Sequence, residues 1–328
     1  MGGFATRRRS ITIGPVRPAA ARDMRPALRR RASVAFGLMK REVVLIVNPA
    51  AGGGRALRAL PAAERGLRDA GLRVRLEHTR DIEHARELGQ AAGAAGAVAA
   101  ALGGDGLVGA VADGLRRSAH GRLAIVPAGR GNDFARTLGI PRDPAGAAAL
   151  IVNGRERAID LGVCGERAFV GIASCGFDSD ANRVANETRV PGDLAYLWGA
   201  LRALAGWRPA RFELELDGVP SVHVGYSVAA ANGRQYGGGM LLAPDASLED
   251  GAFDVVTVAA VPKRRFLRGL PRVFSGRHVA NEEVEVRRAR ELRIAADRPF
   301  ALYADGDPLA ELPATLRTLP AAVRVIVP

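Results

Sequence analysis

Residues 101–117, ALGGDGLVGAVADGLRR, place Gly103, Gly104, Asp105 and Gly106 where an apolar run gives way to a helical one. Five glycines fall between 103 and 114. Each costs backbone entropy, so the spelling needs a reason. Glycines at a strand-to-helix turn let backbone N–H groups point at an anion, and the helix N-terminus adds a favourable field. The phosphate tail of a nucleotide is such an anion. Asp105 would repel it unless a cation lay between them, and magnesium is the natural cation. No Gly-Lys-Ser/Thr follows, so this is not a Walker loop. Gly104, Gly106 and Gly109 fit a dinucleotide-binding spacing, but the loop follows the third strand rather than the first. An ordinary tight turn, with Asp105 capping a helix that begins near Leu107, is the competing reading.

Three further stretches carry chemistry. GRGNDFAR at 129–136 opens a helix, with Asn132 or Asp133 available as caps and Arg130 able to meet a phosphate. The turn Ser247-Leu248-Glu249-Asp250-Gly251 can offer backbone carbonyls and a carboxylate to a hard cation, or be a plain surface turn. DGDP at 305–308 puts Asp305 and Asp307 on either side of Gly306. A carboxylate fixed beside a nucleotide can accept the proton of an attacking hydroxyl, although Asp-Gly is equally a hairpin turn.

Elements must hold these groups in place. VVLIV at 43–47 reads as a buried parallel strand. Helices are expected over 55–70, over 81–92 and from 107, with strands at 72–77, 96–102 and 122–129. The order βαβαβαβ calls for a parallel sheet covered by helices, with binding at the carboxyl ends of its strands. Those ends carry Asn48-Pro49 with Gly52–Gly54, then His78-Thr79, the 103–106 loop and the 129–133 loop. Four glycine-rich or polar loops on one edge describe a single site. From about residue 155 short alternating segments separated by turn signals indicate a mostly β domain. Two helices intrude there, near 193–206 and 262–274, and VRVIV at 323–327 is expected to return to the first domain. The resulting layout is a basic, disordered extension over 1–41, a nucleotide-binding domain over 42–140, a β domain over 141–310 and a returning segment over 311–328.

Composition narrows the class. The chain has 328 residues and a formal net charge of +13, but residues 1–41 hold eleven Arg or Lys and one acid. The body is therefore near neutral, and with 5% aromatics it does not read as a nucleic-acid binder. The arm reads as a tail touching anionic lipid, as sequence preceding a working start at Met39, or as targeting sequence. Two cysteines give no disulfide framework. No apolar stretch reaches the length of a membrane span. The expected location is the cytoplasm, with peripheral contact at the inner membrane surface.

The ordered set NPAAGG (48–53), LGGDG (102–106), PAGRGNDFAR (127–136), ASCGFDSD (173–180), PGDLAYL (191–197), GGGMLLAPDASLEDG (237–251) and YADGD (303–307) resembles the diacylglycerol kinase catalytic-domain family, in its bacterial lipid kinase branch. The resemblance covers about residues 42–328. It implies an α/β fold of two domains: an N-terminal Rossmann-like parallel sheet with helices, and a C-terminal β-sandwich, with the active site in the cleft between them. It implies ATP and Mg2+ as cofactors. Nucleotide contacts then map to Thr79 and to Gly103, Gly104, Asp105, Gly106, Leu107, Val108 and Gly109. Asn48, Arg130, Asn132 and Asp133 join them from the neighbouring strand ends. A structural magnesium maps to the carbonyls of Ser247 and Ala252 and the side chain of Asp250. The general base maps to Asp307, with Asp305 as its support. Three residues depart from the family's pattern: Leu107 and Arg130 stand where it has Thr, and Asp307 where it has Glu.

The implied reaction is ATP-dependent phosphorylation of a lipid hydroxyl, on diacylglycerol or a related lipid. An NAD kinase-like enzyme and a catalytically weak lipid or nucleotide sensor are the alternatives. The lipid would be reached from an anionic membrane surface, with Lys263-Arg264-Arg265 beside Phe266 and Leu267 as contact. The oligomeric state stays open, a homodimer included.

Overall fold

The structure is a computed structural model that describes residues 42–187 and 206–328, with 202 and 204 between them. The basic arm and most of the helix expected over 193–206 lie outside the described residues. The described body belongs to one compact unit, Lys40–Pro328.

Apolar runs at its centre and an alternating strand at its edge make the first layer. β1 (Glu42–Val47), β2 (Arg73–His78), β3 (Val98–Gly103) and β4 (Arg122–Pro127) are parallel, in the order β4-β3-β1-β2. β3 is buried throughout, as a strand covered on both faces must be. α1 (Arg55–Asp69) packs on α5 (Pro144–Asn153), and α2 (Ile82–Ala94) packs on α3 (Asp105–Leu115). The α2–α3 approach is close. A Cβ on Gly114 would sit 2.1 Å from the Arg86 carbonyl oxygen, and one on Gly89 would sit 2.5 Å from that of Val111. Inside this contact Asp113 is fully buried and accepts from Arg86 Nε and Arg116 Nε, each at 2.6 Å.

The second layer is antiparallel. β7 (Ile172–Gly176), β8 (Ala210–Leu216), β9 (Val219–Ala231), β10 (Phe253–Ala259), β11 (Val284–Ala289), β12 (Glu291–Ala296), β13 (Ala301–Ala304) and β14 (Asp307–Glu311) build it. β9 pairs with β8 along its first half and with β7 and β10 along its second. Its core is aromatic, with Phe169, Phe212, Tyr226 and Phe253 fully buried. β5 (Arg155–Cys164), with β6 (Arg167–Phe169) paired antiparallel to it, and β15 (Ala314–Val327) join the layers. β15 pairs with β12 at 314–317 and lies parallel to β4 at 324–325. This is the two-domain α/β and β-sandwich architecture.

Several details differ from the sequence reading. α3 begins at Asp105 rather than near Leu107. α5 was not anticipated, although Asp143-Pro144 announces it: the Asp143 side chain accepts from Gly146 N at 2.6 Å and Pro144 opens the first turn. α6 (Phe177–Glu187) follows β7 directly. α7 (Lys263–Val273) forms as expected, but two of the residues expected at a membrane are engaged within the fold. Arg265 pairs with Glu282 and Glu283, and Phe266 turns inward to stack on Tyr226, centroids 4.3 Å apart. Leu267 and Phe274 are the exposed apolar residues of this region.

Candidate active site

The loops at the carboxyl ends of the parallel strands are tied to one another. Asn48 N–H donates to Leu102 O, and its Oδ1 accepts from Ala50 N at 3.0 Å. Thr79 holds Val47 O through both its N–H and its hydroxyl. The Gly103 carbonyl accepts from both Ala128 N and Gly129 N. A Cβ on Gly129 would fall 2.3 Å from Gly104 Cα, so glycines let these two loops touch. Asn132 sits at φ 53° and folds back on Gly129, accepting from its N–H at 2.7 Å and donating to its carbonyl at 3.0 Å. It therefore locks the loop rather than capping the helix. Arg130 stands exposed beside it.

The cap for α4 (Asp133–Thr137) comes from elsewhere. Asp105 Oδ1 accepts from Phe134 N at 3.0 Å. Asp105 therefore caps the neighbouring helix and not its own. Burial, with the Asp133 carboxylate nearby, pushes its carboxyl up. Burial also raises Asp133, which pairs with Arg136 and accepts from Gly238 N at 2.7 Å. Gly238 lies in the glycine run of the second domain, with φ 85°. The two domains are clasped at this point.

The hairpin between β13 and β14 reaches the glycine loop from the other side. Asp305 and Gly306 form its tip, both with positive φ, at 53° and 95°, as a two-residue hairpin demands. Asp305 Oδ2 accepts from Val170 N and Oδ1 from Gly171 N, both at 2.8 Å. A Cβ on Gly109 would lie 2.7 Å from Asp305 Oδ2, and one on Gly106 2.3 Å from Asp307 Oδ2. The glycine loop thus keeps room for two carboxylates as well as for any ligand. Burial first, then the charges of Asp105 and Asp307, push Asp305 up to about 7. Burial also raises Asp307, with Arg167 pulling the other way. A methyl at Gly106 would displace a movable side chain, not backbone. Gly106→Ala should therefore fold with near-normal thermal stability while any turnover depending on Asp307 falls by about tenfold or more, since a 1 Å misplacement can cost about a hundredfold. Thermal melts and steady-state rates check both halves.

Beside the hairpin lies a cavity of about 300 Å³. Asp105, Asp133 and Asp305 are among its lining residues, and Phe134, Ile172, Phe177, Met240, Leu270 and Phe274 supply apolar wall. Asp305 also borders a smaller cavity of about 30 Å³ that Asp307, Gly106, Gly109 and Arg167 line.

The acidic turn stands apart from this cluster. Asp250 pairs with Arg288 and accepts from Ala252 N at 3.2 Å. Its donors with the Ser247 and Ala252 carbonyls would be all oxygen, right in kind for Mg2+, though the one carboxylate is shared with an arginine. Among the described residues no group of three or more His, Cys, Asp or Glu side chains is arranged to hold a metal. Sequence reasoning missed what anchors the turn. Asp160, buried in β5, accepts from Gly251 N at 2.6 Å and Ala321 N at 2.8 Å. Asn232, also buried, donates to the Asp160 and Val170 carbonyls. A lone acid inside an apolar strand, as in AIDLG, or a lone amide at the end of one, as in VAAANG, was the available signal.

The geometry defines a two-domain α/β protein whose carboxylates and glycine loop meet at an interdomain cleft. Residues 42–164 match the diacylglycerol kinase catalytic domain, and residues 171–327 match the YegS C-terminal NAD kinase beta sandwich-like domain. A diacylglycerol kinase of Mycobacterium tuberculosis is 36% identical over 296 residues, covering 88% of this chain and 95% of the relative. A diacylglycerol kinase of Bacillus subtilis is 31% identical over 234 residues, covering 70% and 77%. The crystal structure of a diacylglycerol kinase from Bacillus anthracis superposes with a TM-score of 0.68 at 22% identity, covering 88% and 97%. The chain belongs to the diacylglycerol kinase catalytic-domain family, in its bacterial lipid kinase branch.

Proposed function

We propose that the protein is an ATP-dependent lipid kinase that transfers the γ-phosphoryl group to a lipid hydroxyl, with diacylglycerol or a related lipid as acceptor. The observation that carries this reading is the junction of a strand–glycine loop–helix edge, a carboxylate pair and an apolar cavity in one cleft. The names of the relatives favour a lipid over NAD as acceptor.

In this reading the triphosphate lies along Gly103–Gly109 at the N-terminus of α3, where the first helical amides lack intrahelical partners. Asn48, Thr79, Arg130, Asn132 and Asp133 shape the surrounding strand ends. Mg2+ would offset phosphate charge when bound, and the turn at Ser247, Asp250 and Ala252 would hold a structural ion. Asp307 takes the proton of the acceptor hydroxyl. Among the described residues its carboxylate has no hydrogen-bond donor, and although the residue as a whole is exposed, desolvation of the carboxylate packed against Gly106 makes it more basic. Asp305 spends both oxygens on Val170 and Gly171, which suits a residue that positions the hairpin. One observation favours a second reading: Asp305, not Asp307, lines the apolar cavity by which a lipid would arrive. Peripheral contact with an anionic membrane belongs to the same proposal, through exposed Leu267 and Phe274 and the basic face of α7. Among the described residues no helix is long and apolar enough to cross a membrane.

Incubating the purified protein with labelled ATP, Mg2+, a panel of lipid alcohols and NAD tests the reading. Label in a lipid product is the expected result. Label in NADP, with none in lipid, would move the protein to the NAD kinase class, and label in neither would favour the sensor.

A further inference from the structure

The strand that carries Asp307 is weakly held where it begins. Among the described strands β14 pairs only with β13. Asp307 lies opposite Ala304 and Pro308 opposite Tyr303, but the register then skips Leu309, so that Ala310 faces Leu302. A bulge of this kind re-aims the side chains around it. Pro308 has no N–H to give to a ladder. The carbonyls of Pro308 and Leu309 are taken instead by Arg167, whose Nη1 donates to them at 2.9 and 3.4 Å.

Arg167 stands on a different pair of strands. It opens β6, which pairs with β5 and packs on α3, the helix that carries the glycine loop. β6 and β14 share no ladder. The turn before Arg167 is tied to the end of the same helix, because Arg116 Nη2 donates to Glu166 O at 2.8 Å. One guanidinium therefore spans from the frame of the glycine loop to the two residues that follow Asp307.

The same side chain lines the 30 Å³ cavity with Asp307, Asp305, Gly106 and Gly109. Among the described residues it donates to carbonyls rather than to a carboxylate. Its charge nevertheless acts on Asp307, pulling down a carboxyl that desolvation pushes up. Arg86, the other cation of this cavity, is engaged by Asp113 and Glu83. Asp305 at the hairpin tip, and Asp105 near it, bring only like charge. A clamp for two carbonyls needs a donor and no more. A base that must be ionised to act needs a cation in reach, and Arg167 is placed to serve as both.

We propose that Arg167 is the positioning residue of the general base, fixing the start of β14 against the glycine-loop helix and setting its positive charge beside the Asp307 carboxylate. The proposal rests on the lipid-kinase reading, with Asp307 as the base.

The test joins steady-state rates of lipid phosphorylation across pH to a heteronuclear NMR titration of the side-chain carboxyls in the full chain. The Asp307 signal is assigned by its loss in Asp307→Asn. Arg167→Leu should lower kcat by about tenfold or more, since a displacement near 1 Å can cost about a hundredfold, with KM for ATP nearly unchanged. Removing the cation should also move the Asp307 titration, and the rising limb of kcat/KM, to higher pH. Arg167→Lys, which keeps the charge but not the planar fork, should hold the limb near its wild-type position and recover only part of kcat. In an Asp307→Asn background Arg167→Leu should cost about twofold or less, because residues that act as a unit are not additive. If Arg167→Leu does not fold, Arg167→Gln keeps a donor for the carbonyls without the charge, and its limb and titration must move the same way. An unmoved Asp307 titration, or an equal loss of rate with and without Asp307, would overturn the proposal and leave a structural clamp. No lipid phosphorylation by the wild type, with the Asp307 titration still raised in Arg167→Leu, would reject the kinase reading and support the coupling of Arg167 to Asp307.

Discussion

Asp307→Asn should lower kcat by about 100-fold or more while leaving ATP affinity nearly unchanged. A general base contributes about 10² to 10⁴ in rate, and it is needed only as the phosphoryl group transfers, so the loss falls on turnover rather than on ground-state binding. The substitution keeps the size of the side chain beside Gly106, where the carboxylate is held. Asp307→Glu, which restores the length usual in the family, should retain or raise activity. Asp305→Asn is the control. It removes one charged acceptor from the pair of amides at Val170 and Gly171, so it should loosen the hairpin and lower turnover less. Normal turnover by Asp307→Asn together with an inactive Asp305→Asn would hand the base to Asp305. The pH dependence adds a second discriminator. A base must be ionised to act, so kcat/KM should climb with pH and level off above its pKa. A base at Asp305, whose pKa is raised to about 7, places that limb near neutrality, and the limb should then vanish in Asp305→Asn.

The second large effect is on stability. Asp113→Ala should destabilise the protein by about 3–5 kcal/mol, the cost of breaking a buried ion pair from one side. Asp113 has no exposed surface, and Arg86 is nearly as buried. Its loss takes from Arg86 and Arg116 their shared buried acceptor and leaves them only Glu83 and the Glu166 carbonyl, in a contact where Gly89 and Gly114 bring the two helices too close for water to substitute freely. Because α3 carries the glycine loop at its other end, the same variant should weaken ATP binding. Urea unfolding reads the first effect. A shift below about 1 kcal/mol, as for a solvent-screened surface pair, would show that this network does not join the two helices.

Much of this was written in the chain. The parallel strands were legible because β1 and β3 are apolar runs and β2 alternates with period two, and the site edge because four polar loops follow their carboxyl ends. The motif order at 48–53, 102–106, 127–136 and 237–251 carried the family. What stayed hidden was three-dimensional pairing. Gly106 and Gly109 read as room for phosphate, yet the nearest atoms to their open faces are carboxylate oxygens of Asp307 and Asp305, roughly 200 residues away. Asp105 read as the cap of its own helix and caps α4 instead. Asp160 lies inside β5 and Asn232 directly after β9, where spacing gives no hint that they hold a distant turn. Phe266 read as a membrane-facing residue because a helix with basic and apolar positions does not announce which side meets the core. Such contacts depend on how the two layers are docked, and local periodicity does not encode docking.

The central claim is transfer of the terminal phosphoryl group of ATP to a lipid. It is tested most directly by supplying lipid acceptor with ATP labelled at either the α- or the γ-phosphorus and extracting the product into an organic phase. Organic-phase label from γ-labelled ATP alone, dependent on protein and abolished by Asp307→Asn, is the predicted result. No organic-phase label with any lipid alcohol, or label arriving from the α-phosphorus, would contradict it.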